Sequence, residues 1–352
     1  MQEHKFPYKW NLSDGYPAKG IEPNGCKVFG TFICGGGSTM GYKLAGFTHF
    51  GGVEIDPKVA DVYQGNHKPK HLFVEDIRKF NERENLSKEL YSLDILDGSP
   101  PCSTFSMAGS RESAWGKEKV FREGQAKQTL DDLVFVYIET IKKLRPKVCL
   151  LENVKGIIQG NAKYYSKQIV ARMTEAGYRV QVFCLNAASM GVPQKRERVF
   201  FIGLRNDFDL PKLELRFNER ALTFRQVEDA SDNEEKQKNT KGYSLYIKTR
   251  DGDSFSKQDA NSQFFGYSKV SAGLVPNTVV SNSGTAQWHN KFFRQLNRIE
   301  LCQIGTYPLD YNFKELEPKY LIGMSVPPVM TAQIAHQIWI KWLSKINGKT
   351  PE

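Results

Sequence analysis

The sequence predicts an α/β fold, in which helices cover a parallel sheet on both sides, joined to a smaller unit rich in β-strands and loops. Between residues 26 and 205, short apolar runs alternate with segments of helical periodicity, the pattern of strands connected by crossover helices. Glycines, prolines and acidic residues follow several of these runs, where functional groups are expected. After about Asn206 the helical periodicity is lost and the composition becomes more polar.

Periodicity and stop signals locate the individual elements. Leu133 and Tyr137 fall on one face of a predicted helix, and Pro146 follows its end. Gly177 closes the next helix, where a left-handed cap is expected. Four helices are predicted, over 130–144, 164–176, 294–305 and 329–346. Six strands are predicted, over 27–33, 50–56, 93–102, 148–154, 179–187 and 199–205.

Changes in composition predict the domain organisation. Proline, glycine and polar residues dominate the start of the chain, which is interpreted as a lead-in. The polar stretch 230–242 is expected to be solvated, and Asp251-Gly252 predicts a hairpin turn between two strands. The predicted segments are a lead-in over 1–25, a main domain over 26–205, a smaller domain over 206–290 and a return to the main domain over 291–352.

Composition and charge limit the classes of function. The 352 residues are 40% hydrophobic and 25% charged, with a net charge of +10; this basic excess suits nucleic acid, although it also serves solubility. The six cysteines are scattered without a C-x-x-C pair, which argues against a disulfide framework or a zinc site. The N-terminus lacks an apolar signal region, and no run approaches the length of a membrane span.

Glycines after the first strand indicate a ligand site. The segment Phe32–Gly37 contains three consecutive glycines, which permit a sharp turn and a close approach of the backbone to a ligand. Glu54, at the end of the next strand, is placed to hold ribose hydroxyls, and Asp76 after a third strand can accept from an adenine amine. Each could be an ordinary turn of an α/β protein, but their combination favours a nucleoside-containing ligand.

Cys102 is a candidate nucleophile. It follows Pro100 and Pro101, which restrict the backbone, and a thiolate is a strong nucleophile. The alternative is a buried structural cysteine. Residues 107–129 form a long segment with many glycines and basic residues, which predicts a lid over an anionic substrate.

Two further motifs lie next to predicted strands. Glu152-Asn153-Val154 ends a strand, where a carboxyl group can hydrogen-bond a base edge, although Asn153 could simply cap a helix. In Gln194–Arg198, alternation puts Gln194, Arg196 and Arg198 on one side. Such a face can contact phosphate and a base carbonyl, whereas a charged run is more often a solvated surface.

In this order and spacing, the motifs resemble those of the DNA cytosine-5 methyltransferase family. Pro101-Cys102 resembles its nucleophile motif, Glu152–Val154 its Glu-Asn-Val motif, and Gln194–Arg198 its Gln-x-Arg-x-Arg motif. The resemblance extends over about residues 27–343. It implies a Rossmann-like, S-adenosylmethionine-dependent methyltransferase domain with a smaller β- and loop-rich target recognition domain.

The resemblance also implies roles for individual residues. Cys102 would attack the target cytosine, Glu152 and Arg198 would hold the base, and Arg196 would support the loop or the phosphates; no metal is implied. The implied cofactor-binding residues are Phe32, Gly35, Gly36, Gly37, Glu54, Ile55, Asp76, Ile77, Pro101, Leu133 and Ser325. The implied substrate-binding residues are Ser103, Ser106, Gln194 and Thr278.

The sequence departs from the family pattern at three positions. Cys34 and Met324 stand where the family usually has glycine and asparagine. Arg294 and Glu300 match the helix that supports the recognition domain, but Ile299 replaces its usual arginine.

The implied partner is double-stranded DNA, bound by a monomer in the cytoplasm of a bacterium or phage-infected cell, with a cognate restriction endonuclease as a possible companion. Two alternatives stay open. Some relatives methylate cytosine in tRNA, so an RNA substrate is one. A non-catalytic DNA-binding protein on the same scaffold is the other, although the intact set of Cys102, Glu152 and Arg198 argues against it.

Overall fold

A seven-stranded sheet forms the centre of the larger of two units into which the chain divides. The computed structural model describes residues 4–101, 133–160, 162–258, 264 and 266–349. The larger unit consists of residues 16–185, 197–216 and 332–352, and the smaller unit of 1–15, 186–196 and 217–331. Within the described ranges, no helix has both the length and the apolar character needed to cross a membrane.

The central sheet is parallel except for its last part. Its strands are ordered β3-β2-β1-β4-β5-β7-β6; the first five pair in parallel, whereas β7 pairs with β5 in antiparallel fashion. The predicted α/β fold with a mainly parallel sheet is therefore confirmed. The strands are β1 Lys27–Thr31, β2 Thr48–Glu54, β3 His71–Val74, β4 Ile95–Gly98, β5 Val148–Val154, β6 Tyr178–Asn186 and β7 Glu197–Arg205.

Helices connect these strands, and local sequence accounts for their limits. Asp56 caps α2 by accepting from the backbone amides of Lys58 and Val59, and Pro57 occupies the first helical position, where a missing N–H costs nothing. The helices of this part of the chain are α1 Gly37–Leu44, α2 Pro57–His67, α3 Ile77–Glu82, α4 Leu133–Leu144 and α5 Ala162–Glu175.

One face of the sheet packs against α3, α4 and α5. Phe29 of β1, Leu96 of β4 and Leu151 of β5 belong to this buried cluster, with the apolar face of α4. Tyr137 of α4 is fully buried, and its hydroxyl donates to the carbonyls of Leu96 and Leu150 at 2.9 and 2.8 Å. The core therefore keeps its polar hydroxyl satisfied, as burial requires.

The smaller unit is loop-rich. An aromatic cluster forms its core, in which Trp288 and Phe293 stack with ring centroids 4.7 Å apart. Its elements are α6 Lys241–Lys248, the parallel strands β8 Gly266–Lys269 and β9 Thr285–Trp288, α7 Arg298–Ile304 and α8 Pro318–Met324. The chain ends with α9 Pro328–Ile338, a π-helical turn Trp339–Leu343 and α10 Ser344–Ile346. Short 3-10 turns lie at Leu12–Asp14, Lys88–Ser92, Lys155–Ile158, Ala187–Met190, Phe224–Gln226 and Phe255–Lys257.

The structure corrects one local prediction and gives the bounds of a strand that was predicted without them. The hairpin predicted at Asp251-Gly252 is wrong, because Lys241–Lys248 forms a helix that buries Leu245 and Tyr246. Gly252 still makes a turn, with φ +91°. Strand β3 lies before Asp76, where a strand end was predicted; its bounds were not predicted, because four half-exposed residues carry too little periodicity.

The compact units and the predicted domains do not have the same bounds. The smaller unit includes residues 291–331, which the sequence assigns to the return to the main domain, and also residues 186–196. A division by compactness does not say which residues bind DNA or cofactor, so the domain roles stay predictions.

Candidate active site

The carboxyl ends of five neighbouring strands of the larger unit come together along one edge of the sheet. Val74 pairs with Glu54, Thr31 pairs with both Val53 and Gly98, and Gly98 pairs with Leu151. The order of strands reverses between β1 and β4, and ligands of open α/β sheets bind at such switch points. The predicted glycine turn follows β1, and the two prolines before Cys102 follow β4, so both begin at this point.

The turn after β1 has a left-handed backbone at three positions. Phe32, Cys34 and Gly36 have φ values of +57°, +47° and +77°. A Cβ on Gly36 would lie 2.3 Å from Nε2 of His67. The left-handed backbone and the lack of space for a side chain therefore both require glycine at this position. Cys34 stands where the family usually has glycine, and its positive φ explains that preference.

Glu54 braces this turn from the end of β2. Its Oε2 accepts from the Cys34 amide at 2.9 Å, and its Oε1 accepts from the Asp56 amide at 3.0 Å. Burial raises the pKa of the Glu54 carboxyl, and these two amides oppose the rise. Each oxygen keeps a lone pair that could accept from a hydroxyl.

Asp76 caps the helix that follows β3. Its carboxylate accepts from the Arg78 amide at 2.8 Å and pairs with the Arg78 guanidinium at 3.0 Å. The structure therefore brings Asp76 to the predicted edge and gives it protein partners there.

The predicted apolar contacts of the cofactor differ in burial. Ile77 and Leu133 are 3% and 1% exposed and belong to the core cluster of the larger unit, whereas Phe32 and Ile55 are half-buried at the edge. Gly35 and Gly37 are buried within the turn and the first residue of α1. Two carboxylates at successive strand ends, a glycine turn and these apolar groups fit a nucleoside that carries hydroxyls and an amine.

Glu152 and Arg198 meet at the end of β5. Arg198 Nε lies 2.9 Å from Glu152 Oε1, and the two side chains are 14% and 11% exposed. Burial lowers the pKa of the Arg198 guanidinium, and the Glu152 carboxylate opposes this change. The antiparallel pairing of β7 with β5 aligns Arg198 with Val154, so two residues 46 positions apart share one site.

Asn153 connects this strand end to the segment before the predicted nucleophile. Its side-chain amide donates to the Pro100 carbonyl at 3.4 Å, and Pro101 is half-buried. Cys102, Ser103, Ser106 and the predicted lid 107–129 lie outside the described residues, so their predicted roles stay predictions.

Gln194 and Arg196 organise the smaller unit. Gln194 is 1% exposed; its Nε2 donates to the Ile304 carbonyl at 3.1 Å, and its Oε1 accepts from the Val279 amide at 3.0 Å. Arg196 is 2% exposed and donates to the carbonyls of Val279, Gly323 and Ser325 at 2.9–3.0 Å. The Arg196 side chain thus contacts main-chain carbonyls, and the predicted roles of Arg196 and Gln194 stay predictions.

Thr278 and Ser325 are anchored to the same framework. The Thr278 hydroxyl donates to the Lys195 carbonyl at 2.5 Å, and the Lys195 amide donates to the Pro276 carbonyl at 2.8 Å. The Ser325 hydroxyl is 2.6 Å from the Tyr307 hydroxyl. The structure thus brings Gln194 and Thr278, both predicted to contact substrate, together within the smaller unit, where their two chain segments are hydrogen-bonded.

Arg294 and Glu300, which resemble the family's supporting helix, form a buried ion pair. The guanidinium donates to both carboxylate oxygens at 2.8 and 2.9 Å, a bidentate geometry that fixes orientation. Ile299, which replaces the usual arginine, is 40% exposed.

Sequence reasoning missed a buried acid beside the site. Asp97 of β4 is 5% exposed, and Tyr42 of α1 donates to its Oδ1 at 3.2 Å. Burial raises the pKa of Asp97 to about 7; hydrogen bonds from Tyr42 and Ser38 oppose the rise and Glu152 adds to it. The available signal was an aspartate inside the otherwise apolar run before Gly98.

Comparison with known proteins agrees with this geometry. The family model described as C-5 cytosine-specific DNA methylase matches residues 27–339. The chain is 35% identical over 211 residues to the Type II methyltransferase M.FnuDI of Fusobacterium nucleatum, a match that covers 59% of this chain and 56% of that protein. It is 25% identical over 336 residues to the Type II methyltransferase M1.HphI of Haemophilus parahaemolyticus, covering 87% and 85% of the two chains.

Among solved structures, a DNMT2 mutant from Spodoptera frugiperda matches with a TM-score of 0.62 at 15% identity, covering 89% of this chain and 99% of that one. At this identity the likeness shows the fold, and the predicted Rossmann-like methyltransferase fold is confirmed. The family match extends over most of the sequence, whereas the match to M.FnuDI spans little more than half of that relative. The chain belongs to the C-5 cytosine-specific DNA methylase family.

Proposed function

We propose that this protein transfers a methyl group from S-adenosylmethionine to C5 of cytosine in double-stranded DNA, with Cys102 as the nucleophile. The observation that carries the proposal is the Glu152–Arg198 pair, 2.9 Å apart at the strand edge. Asn153, between Glu152 and the end of β5, hydrogen-bonds the Pro100 carbonyl two residues before Cys102. An acid and a guanidinium are thus held beside the segment that leads into a cysteine.

C5 of cytosine is by itself too weak a nucleophile to attack a methyl group. The ring must therefore first be activated by a nucleophile of the enzyme. The Cys102 thiolate adds to C6 and forms an Sγ–C6 bond, which moves electron density to C5. S-adenosylmethionine, when bound, would supply an electrophilic methyl group on a sulfonium sulfur, so that a C5–methyl bond would form as the sulfur–methyl bond breaks and a neutral thioether leaves. The C5 proton then leaves to a base such as water, and the Sγ–C6 bond breaks, which restores the thiolate and the aromatic ring.

Glu152 and Arg198 hold the base during this addition. The Glu152 carboxyl group faces N3 and the exocyclic amine, where charge changes as the thiolate attacks. The guanidinium of Arg198 has donors beyond Nε that can reach the base carbonyl. Their mutual ion pair orients both groups before the substrate arrives, so less ordering is required on binding.

The residues around the glycine turn would hold the methyl donor. Glu54 accepts from the ribose hydroxyls, and Asp76 accepts from the adenine amine at the next strand end. Phe32 and Ile55 offer half-buried apolar surface between them. Ser325 and Pro101 complete the proposed contacts.

The target cytosine must leave the duplex, because no side chain reaches C6 within a base stack. Residues 107–129 would close over the flipped base, and the 206–290 segment, including Thr278, would read sequence in the major groove. The enzyme would act as a monomer in the cytoplasm, and a restriction endonuclease of the same specificity would accompany it if it serves restriction and modification.

Bisulfite sequencing of DNA from a methylation-free host tests the proposal. Cells expressing the wild-type protein should contain protected cytosines within one short sequence motif, and cells expressing Cys102→Ala should contain none. Glu139→Gln, an exposed position on α4 outside both the proposed site and the 206–290 segment, serves as a control and should leave the pattern intact. Absence of protection in wild-type cells, with the purified protein folded and able to bind S-adenosylmethionine, would refute the proposal and direct the search to RNA.

A further inference from the structure

The basic residues of the larger unit are concentrated in one segment. Residues 133–185 contain nine lysines and arginines and three acidic residues, an excess of six out of the net +10 of the whole chain. Six of these nine cations have visible partners: Lys143 and Arg179 donate to backbone carbonyls, Arg172 lies over the Phe135 ring, and three lysines form ion pairs. Lys147 pairs with Asp94, Lys155 with Glu197, and Lys142 with Glu139. Ion pairs hold three of the nine cations, and the backbone and ring contacts fix the direction of three others.

Lys163 and Lys167 of α5 differ from these paired cations. Both are exposed, and among the described residues no carboxylate lies within 4.0 Å of either ammonium group. They are four residues apart in a helix, so they project from the same face. Tyr164 beside them is 71% exposed, unusual for an aromatic side chain of a globular protein.

The topology places this group at the edge of the sheet that carries the proposed active site. Helix α5 follows the carboxyl end of β5 after one 3-10 turn, so its first residues lie at that edge. Tyr165 packs against Phe135 in the first turn of α4, with ring centroids 5.0 Å apart. Helix α4 also begins at the carboxyl edge, because it leads into the amino end of β5.

We propose that Lys163, Tyr164 and Lys167 form a second contact surface for double-stranded DNA, which binds the phosphate backbone beside the flipped base. This inference rests on the proposed function and names a surface that the family motifs do not include. Two ammonium groups on one face match a repeating anion, and the tyrosine hydroxyl can donate to a phosphate or sugar oxygen. The contact positions the duplex and does not read its sequence.

The salt dependence of DNA binding measures this contact directly. Each lysine that neutralises a phosphate contributes about 0.9 to the slope of log K against log salt concentration. The double variant Lys163→Ala/Lys167→Ala should therefore show a slope about 1.8 units less steep than wild type. A fourfold rise in salt would then weaken wild-type binding about tenfold more than it weakens binding by the variant.

Matched controls separate a local contact from a general loss of charge. Lys68→Ala/Lys88→Ala removes two exposed lysines that precede β3 and β4, at the opposite edge of the sheet, and should keep the wild-type slope. Lys163→Arg/Lys167→Arg keeps both charges and should also keep it. An alanine variant that binds with an unchanged slope would overturn the inference, as would an equal loss in the Lys68/Lys88 variant.

The same protein samples are assayed for methyl transfer to the duplex, so the two proposals can fail separately. If wild type methylates duplex DNA while the slope of the alanine variant is unchanged, only the surface assignment fails. If wild type transfers no methyl group to duplex DNA, the proposed function fails and this inference falls with it. A reduced slope for a structured RNA but not for the duplex would assign the surface to RNA instead.

Discussion

Replacing Asp97 with asparagine tests how much stability the buried acid beneath α1 costs the protein. The carboxyl group is 5% exposed and accepts from the Tyr42 hydroxyl at 3.2 Å. Asparagine keeps an acceptor for that hydroxyl and nearly the same volume, but it does not ionise. The substitution therefore removes the titration and little else.

The magnitude follows from the pKa of this group. Burial raises the pKa of Asp97 from its usual 3.8 to about 7, so the folded state holds the proton more tightly than the unfolded state. The stability that this provides is full below pH 3.8 and is lost as the pH rises through 7. Between pH 5 and pH 8 the loss amounts to about 3 kcal/mol.

Urea denaturation of wild type and Asp97→Asn at pH 5 and pH 8 checks this expectation. Other groups titrate in both proteins, so the quantity of interest is the difference between the two free energies of unfolding. That difference should move in favour of asparagine by about 3 kcal/mol at the higher pH. A difference that stays constant within about 0.5 kcal/mol would show that Asp97 titrates as an ordinary carboxyl, and the reasoning would be refuted.

Three substitutions test the turn and the buried arginine. Gly36→Ala places a Cβ 2.3 Å from Nε2 of His67 and should weaken S-adenosylmethionine binding by calorimetry about tenfold or more; an unchanged affinity would contradict the assigned turn. Cys34→Gly relieves a positive φ and should raise the free energy of unfolding by up to about 1 kcal/mol, so a lower melting temperature would be inconsistent. Arg196→Lys leaves buried carbonyls unpaired and should lower the free energy of unfolding, measured by urea denaturation, by about 3 kcal/mol. An unchanged midpoint would show that the Arg196 hydrogen bonds do not stabilise the fold.

The strand ends of the proposed site could be predicted because each is a local pattern. An apolar run followed by glycine or an acid predicts both a strand and a turn, and Glu54 and Glu152 lie at strand ends as predicted. The antiparallel insertion of β7 beside β5 could not be predicted, because it depends on which strands become neighbours. It is this insertion that brings Arg198 to Glu152.

Contacts between residues far apart in sequence also limited the prediction of individual roles. Alternation put Gln194 and Arg196 on one side, as expected of a ligand-binding face. Their partners are backbone groups about 80 to 130 residues away in sequence, which no local pattern specifies. Tyr42 and Asp97 are likewise 55 residues apart and meet only because β1 and β4 are neighbours.

The hydrogen bonds of Gln194 and Arg196 to the main chain have a consequence for how this protein could acquire a new target. Both side chains attach to main-chain groups at Val279, Ile304, Gly323 and Ser325. Main-chain groups are the same whatever residue occupies the position, so these hydrogen bonds do not depend on side-chain identity, except at Gly323, where a Cβ would lie 2.4 Å from the Ser281 amide nitrogen. If the 206–290 segment reads sequence as proposed, its side chains around Val279 can change while this main-chain anchor is kept.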